Sequence, residues 1–304
     1  MKGARVTPSI RMRMAALTVA TIALTLTLAA FGSSAHAYLY YRYGGAVERI
    51  ALNGKGGRSK LIPDAGGTKF CGLAATESHI YWTNNNDVGR ADIDGSHVER
   101  NWIRLHSTVC SIAVDGTHVY WLNHTGDLGR ADLSGAHVDE KFIKTSGRQF
   151  GAVAVSSAFI FWTDREGIGR ADIDGTKVRE AFLPADFATS LAVDGKYLYW
   201  NNLGPLFEGT TIGRAQLDGA AVNQKFIDLT PVDRHPCGLT VVDERIFFSN
   251  WRPGNGGEDF SINYTGLTSN DVELTNFGHQ FQCPASLAPV TAPGRGPRAG
   301  ARRT

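Results

Sequence analysis

The sequence predicts an all-β fold, a closed six-bladed β-propeller of four-stranded antiparallel blades, and three observations predict it. An aliphatic residue followed by an aromatic pair recurs as Leu39-Tyr40-Tyr41, Ile80-Tyr81-Trp82, Val119-Tyr120-Trp121, Ile160-Phe161-Trp162, Leu198-Tyr199-Trp200 and Ile246-Phe247-Phe248, at intervals of 41, 39, 41, 38 and 48 residues. A period of that length is the signature of stacked or radially arranged repeats. Asn-Gly, Asp-Gly and related pairs punctuate the copies, because hairpin turns need residues that tolerate positive φ. Finally, the array opens on one kind of strand (38–43) and finishes on another (286–290), so one blade would draw strands from both ends and leave no open sheet edge.

Each copy reads as four strands. The first is short and aliphatic, as in Leu73-Ala74-Ala75, Ile112-Ala113-Val114, Val153-Ala154-Val155, Leu191-Ala192-Val193, Leu239-Thr240-Val241 and Leu287-Ala288-Pro289. A tight turn such as Asp115-Gly116 or Asp194-Gly195 leads into the second, which carries the aromatic pair. The third contains Gly-Arg-Ala-Asp at 89–92, 129–132 and 169–172. A second tight turn (Asn53-Gly54, Asp94-Gly95, Ser134-Gly135, Asp174-Gly175, Asp218-Gly219, Thr265-Gly266) leads to a fourth strand of the Phe142-Ile143 type. At least 12 of the 35 glycines occupy these repeat positions, so the glycine content records turns rather than flexibility. No helical period of useful length interrupts the pattern.

The two ends lie outside the ring. Residues 1–37 read as a secretory signal peptide: Lys2, Arg5, Arg11 and Arg13 form the basic segment, 14–31 the apolar run, and Ala35-His36-Ala37 a small-x-small cleavage site. An uncleaved anchor is the alternative for an apolar run of this length. Residues 38–290 are the propeller, and 291–304 form a basic tail of Pro, Gly, Ala and Arg, expected to be disordered. The whole chain carries 31 basic and 29 acidic residues, a net charge of +2. Without the signal the balance is 27 to 29, and without the four tail arginines 23 to 29, so the core is acidic at −6. This balance gives no electrostatic footprint for nucleic acid, which normally needs a clustered basic face. The expected product is an exported monomer with no membrane span after signal cleavage.

Tyr81-Trp82-Thr83-Asn84 and Phe161-Trp162-Thr163-Asp164, each followed by Gly-Arg-Ala-Asp-Ile-Asp-Gly at 89–95 and 169–175, resemble the YWTD repeat, also called the LDL-receptor class B repeat. The resemblance spans all six copies. It implies a six-bladed propeller used for binding proteins or other ligands rather than for catalysis, in the plain secreted bacterial form of that fold.

Residues repeated in most copies read as architecture, because a site on a ring of equal blades must break the symmetry. Arg49, Arg90, Arg130, Arg170 and Arg214 occupy one third-strand position, with Ser261 as the exception. Their guanidinium groups are expected on backbone carbonyls or on a carboxylate such as Asp164 or Asp92, with a cationic ring for an anion as the alternative. Trp82, Trp121, Trp162 and Trp200 read as packing between blades. His79, His97, His118 and His137 fall in or beside the tight turns and read as solvated, with a surface metal site as the sharper alternative.

Symmetry breaks in the loops between second and third strands. Counted between equivalent positions they run 5, 5, 6, 5, 11 and 10 residues, so two consecutive blades carry doubled loops. One holds Phe207 and Glu208; the next holds Trp251 and Arg252. Between them, the 228–236 connection holds Asp233, Arg234 and His235. Exposed aromatic residues with arginine on loops of a rigid scaffold are the chemistry of binding hot spots. These seven residues are the candidate ligand contacts, for an extracellular protein or glycan. Cys71, Cys110, Cys237 and Cys283 precede first strands of four successive blades, and an even count in an exported chain argues for disulfides. Neighbour pairing gives Cys71 with Cys110 and Cys237 with Cys283; Cys71 with Cys283, or a soft-metal cluster with His235, stays open. The other reading is a lactonase- or lyase-type propeller enzyme with its site at the channel mouth. Residues entering the first strands include no acidic ligand for a hard divalent cation, and no Gly-x-Ser-x-Gly elbow or phosphate loop accompanies them. No catalytic residue, metal or cofactor is therefore expected.

Overall fold

The structure, a computed structural model, describes residues 38–43, 45–53, 57–66, 70–146, 151–164, 166–204, 209–232, 235–251, 261–267 and 287–290. The signal segment and the basic tail lie outside the described residues. Six antiparallel sheets follow one another in a propeller arrangement. The first sheet contains β1 (Tyr38–Tyr43), β2 (Ala46–Ala51) and β3 (Arg58–Ile62). The second is β4 (Phe70–Ala75), β5 (His79–Asn84), β6 (Asp87–Asp92) and β7 (Glu99–Arg104); the third is β8 (Val109–Val114), β9 (His118–Asn123), β10 (Asp127–Asp132) and β11 (Asp139–Lys144). Then come β12 (Val153–Val155), β13 (Phe159–Thr163), β14 (Gly167–Asp172) and β15 (Arg179–Pro184), and β16 (Leu191–Val193), β17 (Tyr197–Asn202), β18 (Thr211–Gln216) and β19 (Asn223–Asp228). The sixth holds β20 (His235–Val242), β21 (Arg245–Trp251) and β22 (Ser261–Gly266). Its expected fourth strand falls outside the described residues. β23 (Leu287–Val290) pairs antiparallel with β1, Val290 opposite Tyr38.

The aromatic strands are buried on both sides, as β5 and β9 show. A strand sandwiched between neighbouring blades needs a continuous apolar run rather than alternation, and that is why the aromatic pairs are consecutive. The outermost strands β7, β11, β15 and β19 instead bury one residue fully, an Ile or Leu, among charged and polar neighbours. Charge along an open edge suppresses pairing with another chain.

Between blades the core is made of the expected tryptophans. Trp82 packs on Val47, Leu61 and Ile62 of the first blade, Trp162 on Leu122, Leu128 and Ile143 of the third, and Trp200 on Phe161, Ile168 and Leu183 of the fourth. Tyr41 meets Val242 and Phe247, so the sixth blade packs on the first. Outer strands add a clasp. Arg100 donates from Nε to the Asp64 carbonyl (2.9 Å), Glu140 accepts the His106 N–H (3.0 Å), Glu180 accepts the Ser146 N–H (2.7 Å) and Gln224 donates to the Pro184 carbonyl (2.8 Å). In each case one outer-strand position reaches back to the exit of the preceding blade.

Strand register corrects the sixth copy. Tyr81 lies opposite Arg90 and Trp82 opposite Gly89, whereas Phe247 lies opposite Tyr264 and Phe248 opposite Asn263. The equivalent of the repeated arginine is therefore Tyr264, not Ser261, and the stretch from Asn250 to the glycine position is 13 residues, not 10. This copy has neither the Gly nor the Arg, so its letters offered nothing to anchor the count.

Candidate functional site

Strand polarity sorts the connections onto two faces. Tight turns between first and second and between third and fourth strands form a turn face. The loops between second and third strands and the connections between blades form a loop face. On the loop face, the third letter of the repeat builds a rigid floor. Thr83 Oγ1 accepts the Gly72 N–H (2.7 Å), and Thr163 Oγ1 accepts that of Ala152 (2.8 Å). Asn201 does more: Oδ1 accepts the N–H groups of Thr189 and Ser190, both at 2.9 Å, while Nδ2 donates to the Pro236 carbonyl of the next blade (2.9 Å). All three side chains are fully buried, so satisfied hydrogen bonds hold the start of each first strand.

The doubled loop of the fifth blade stands on this floor. Leu203 is buried at its base, and the Gly209 N–H closes the loop onto the Leu203 carbonyl at 2.6 Å. Asn202 Oδ1 accepts the Asp186 N–H (3.1 Å) and the Trp200 indole N–H (3.0 Å), and Nδ2 donates to the Gln224 carbonyl (2.8 Å). The Thr210 and Thr230 hydroxyls share a hydrogen bond of 2.6 Å, tying the loop to the next connection, where Thr230–Val232 form a 3₁₀ turn. The described ends of this loop are thus held close together and tied to the neighbouring connection.

Of the seven candidate contacts, Phe207, Glu208, Asp233, Arg234 and Arg252 lie outside the described residues. Trp251 ends β21, its side chain also outside them, with its Cα opposite His235. His235 is only 7% exposed and so sits beneath the face rather than on it. Asn201, Asn202, Thr210 and Thr230 were not foreseen. The signal was present for two of them, since Asn201-Asn202 aligns with Thr83-Asn84 and Thr163-Asp164. Cys71, Cys110 and Cys237 fall in β4, β8 and β20; their side chains, and Cys283 altogether, are outside the described residues.

The repeated arginines are architecture, with a correction to their partners. Arg90 and Arg170 donate to the carbonyls of Leu133 (3.2 Å) and Leu217 (3.1 Å) in the following blades, as expected. Arg90 also meets a neighbouring carboxylate, donating from Nε to Glu99 at 3.0 Å, and rings add further partners: Arg170 lies 4.3 Å from both Phe159 and Phe182, and Arg214 lies 4.4 Å from Tyr197 and 3.7 Å from Phe226. In the sixth blade, where Tyr264 replaces the arginine, Arg245 stacks over it at 5.3 Å. Among the described residues Asp164 has backbone rather than arginine partners: it accepts the N–H groups of Glu166 (2.7 Å) and Ala181 (2.8 Å).

Of the turn-face histidines, His97 and His137 are solvated (82% and 84% exposed) while His79 and His118 are partly buried, and all four stand near an aspartate. His97 Nδ1 lies 2.7 Å from Asp92 and His79 Nε2 lies 3.5 Å from it; His137 and His118 stand in the same relation to Asp132 at 2.6 and 3.5 Å. Lys177 takes the same place on Asp172 at 2.7 Å, and in the fifth blade, where Gln216 replaces the aspartate, Ala221 replaces the cation. Hydrogen bonding to Asp92 raises His97 above the usual histidine range and holds Asp92 below the usual carboxylate range. Among the described residues no three His, Cys, Asp or Glu side chains are placed to share a metal ion.

No protein-family model matches the chain, and no curated protein does. Solved structures share its fold. A protein of unknown function from Bacteroides caccae aligns with a TM-score of 0.57 at 11% identity, covering 84% of this chain and 99% of that one. Kuenenia stuttgartiensis hydrazine synthase aligns with a TM-score of 0.53 at 15% identity over 64% of this chain, and this chain spans 62% of that one. A gluconolactonase from Xanthomonas campestris gives a TM-score of 0.50 at 18% identity, covering 66% and 73%. Likeness at these identities shows the propeller scaffold alone.

Proposed function

We propose that this chain is an exported binding module of the YWTD type, its ring closed by 287–290 on Tyr38–Tyr43 and its signal segment removed before Tyr38. The loop face over 201–212, 228–237 and 250–260 captures an extracellular protein or glycan. One observation carries the reading. Two consecutive blades, and no others among the six, carry doubled loops, and the first is pinned through Leu203, Gly209, Thr210 and Thr230 to the connection that separates them. Long loops on rigid supports are where propellers and other scaffolds place recognition. Phe207, Trp251 and Arg252 are the anchors of the capture, with Glu208, Asp233 and Arg234 supplying polar contacts around them. The paired cysteines then stiffen the first strands beneath the same face.

The test is capture from culture medium and on a glycan array by the chain and by a Phe207→Ala, Trp251→Ala, Arg252→Ala variant. Loss of capture with little change in melting temperature is expected. Capture that survives the triple substitution defeats the reading. The rival is a lactonase-type enzyme with its site at the channel mouth, supported by the scaffold shared with a gluconolactonase. Lactone turnover that co-purifies with the chain and survives the triple substitution would favour that rival.

A further inference from the structure

The acidity of the folded core is displayed on the turn face. Glu77, Asp94, Asp174, Asp218, Asp243 and Glu244 are exposed there, in the second, fourth, fifth and sixth blades. Asp94 and Asp174 hold Ser96 and Thr176 through their carboxylates (2.8 and 2.9 Å to the backbone N–H groups), which fixes them in the turns. The Thr176 hydroxyl (2.6 Å), and then its N–H, hold the Asp174 carboxyl below the usual carboxylate range. The bases among the described turns are partly spent: Lys177 is paired with Asp172, His97 and His137 with Asp92 and Asp132, and Lys196 lies 4.9 Å over the Tyr197 ring.

Strand register brings a counter-charge to the same face. Second strands begin at the turn face, and Val290 lies opposite Tyr38, the first residue of one of them. The chain that follows Val290 therefore leaves from the turn face. Its fourteen residues, 291–304, include Arg295, Arg298, Arg302 and Arg303 and no acidic residue. Fully extended, they reach roughly 45 Å, enough to cross several blades.

We infer that the turn face is the docking surface of this chain's own basic tail. Residues 291–304 lie along the exposed carboxylates of successive turns, each arginine meeting an Asp or Glu and forking onto it where geometry allows. Single exposed pairs of this kind contribute little, about 0.2–1 kcal/mol each; four from one tethered segment act together because the tether supplies a high effective concentration. The turn face is thereby covered, and the opposite loop face stays free. This inference does not depend on what the loop face binds.

Trypsin cleavage after the tail arginines tests it, in the whole chain and in a free peptide of residues 291–304 as the reference. At low salt the tethered tail should be cut about fivefold more slowly than the peptide, corresponding to about 1 kcal/mol of docking. In about 0.5 M salt, where screening shortens the reach of exposed charges, the two rates should converge. Asp94→Asn, Asp174→Asn and Asp218→Asn together should release the tail at low salt. Equal rates at low salt, or protection that persists in the triple variant, overturns the inference. Protection that grows with protein concentration also overturns it, because the tail then docks on a second copy.

Discussion

Trp162 lies across from Gly169 in the neighbouring strand, so close that a Cβ on the glycine would stand 2.3 Å from the indole Cε2. The same relation joins Trp82 to Gly89 (2.2 Å), Trp121 to Gly129 (2.4 Å to Nε1) and Trp200 to Gly213 (2.2 Å). Each glycine also marks the bulge where third and fourth strands shift register. A missing side chain is thus what lets a tryptophan lie flat on the sheet and face the preceding blade. Gly169→Ala should cost about 1–3 kcal/mol by overpacking, read as a lowered melting temperature. Gly116→Ala and Gly195→Ala meet nothing within 4 Å. They should be neutral or raise stability by up to about 1 kcal/mol; equal losses at all three would refute the clash.

Arg214 sits between two rings, and only a planar cation can stack on both. Arg214→Lys keeps the charge and loses the geometry, so it should destabilise by about 1–2 kcal/mol, measured by urea unfolding. A lysine variant as stable as the parent would show that charge alone matters.

The Asp92–His97 pair makes stability depend on pH. His97 is raised above its ordinary value of 6.5, so its contribution is present below that value and is lost as pH climbs through the raised one. Asp92 is depressed below 3.8, so its contribution is present above that value and is lost as pH falls through the depressed one. The pair is therefore most effective between about pH 4 and about pH 6.5. Asp92→Asn should bring the His97 ring titration, followed by NMR, back down toward 6.5. No movement would separate the two groups.

Gly209 has no room for a side chain, since its Cβ would stand 1.9 Å from the Asn202 carbonyl oxygen. Gly209→Val should push the 203–209 loop off its base. Capture at the loop face should weaken by about tenfold or more, equivalent to at least about 1.4 kcal/mol, with a smaller effect on the melting temperature. Unaltered capture would remove this loop from the proposed site.

The fold was largely legible because a propeller repeats its local chemistry. Six aromatic pairs and a Gly-Arg-Ala-Asp strand announce blade number, strand order and turn positions without any long-range information. The sixth copy was misaligned for the complementary reason: with Asn263 and Tyr264 in place of Gly and Arg, hydrogen-bond register alone defines equivalence. The candidate face was legible only as loop lengths. Its supports, Asn201, Asn202, Thr210 and Thr230, act through backbone groups of distant segments, and a repeat alignment gives no weight to such contacts.

By itself the sequence determined the six blades, the tryptophans at their interfaces and the asymmetry of the loops. Those follow from periodicity and from the volume and polarity of each side chain. Tertiary structure decided the partners. It divided the repeated arginines among the Glu99 carboxylate, carbonyls of the following blade and aromatic rings, and it gave Arg100, Glu140, Glu180 and Gln224 one clasping role despite unlike charges. It also brought the strand leading to a basic tail out onto an acidic turn face. A cation, an anion and an amide can occupy one position interchangeably because the backbone offers both carbonyl and N–H, and only the approach of the neighbouring blade selects which is met.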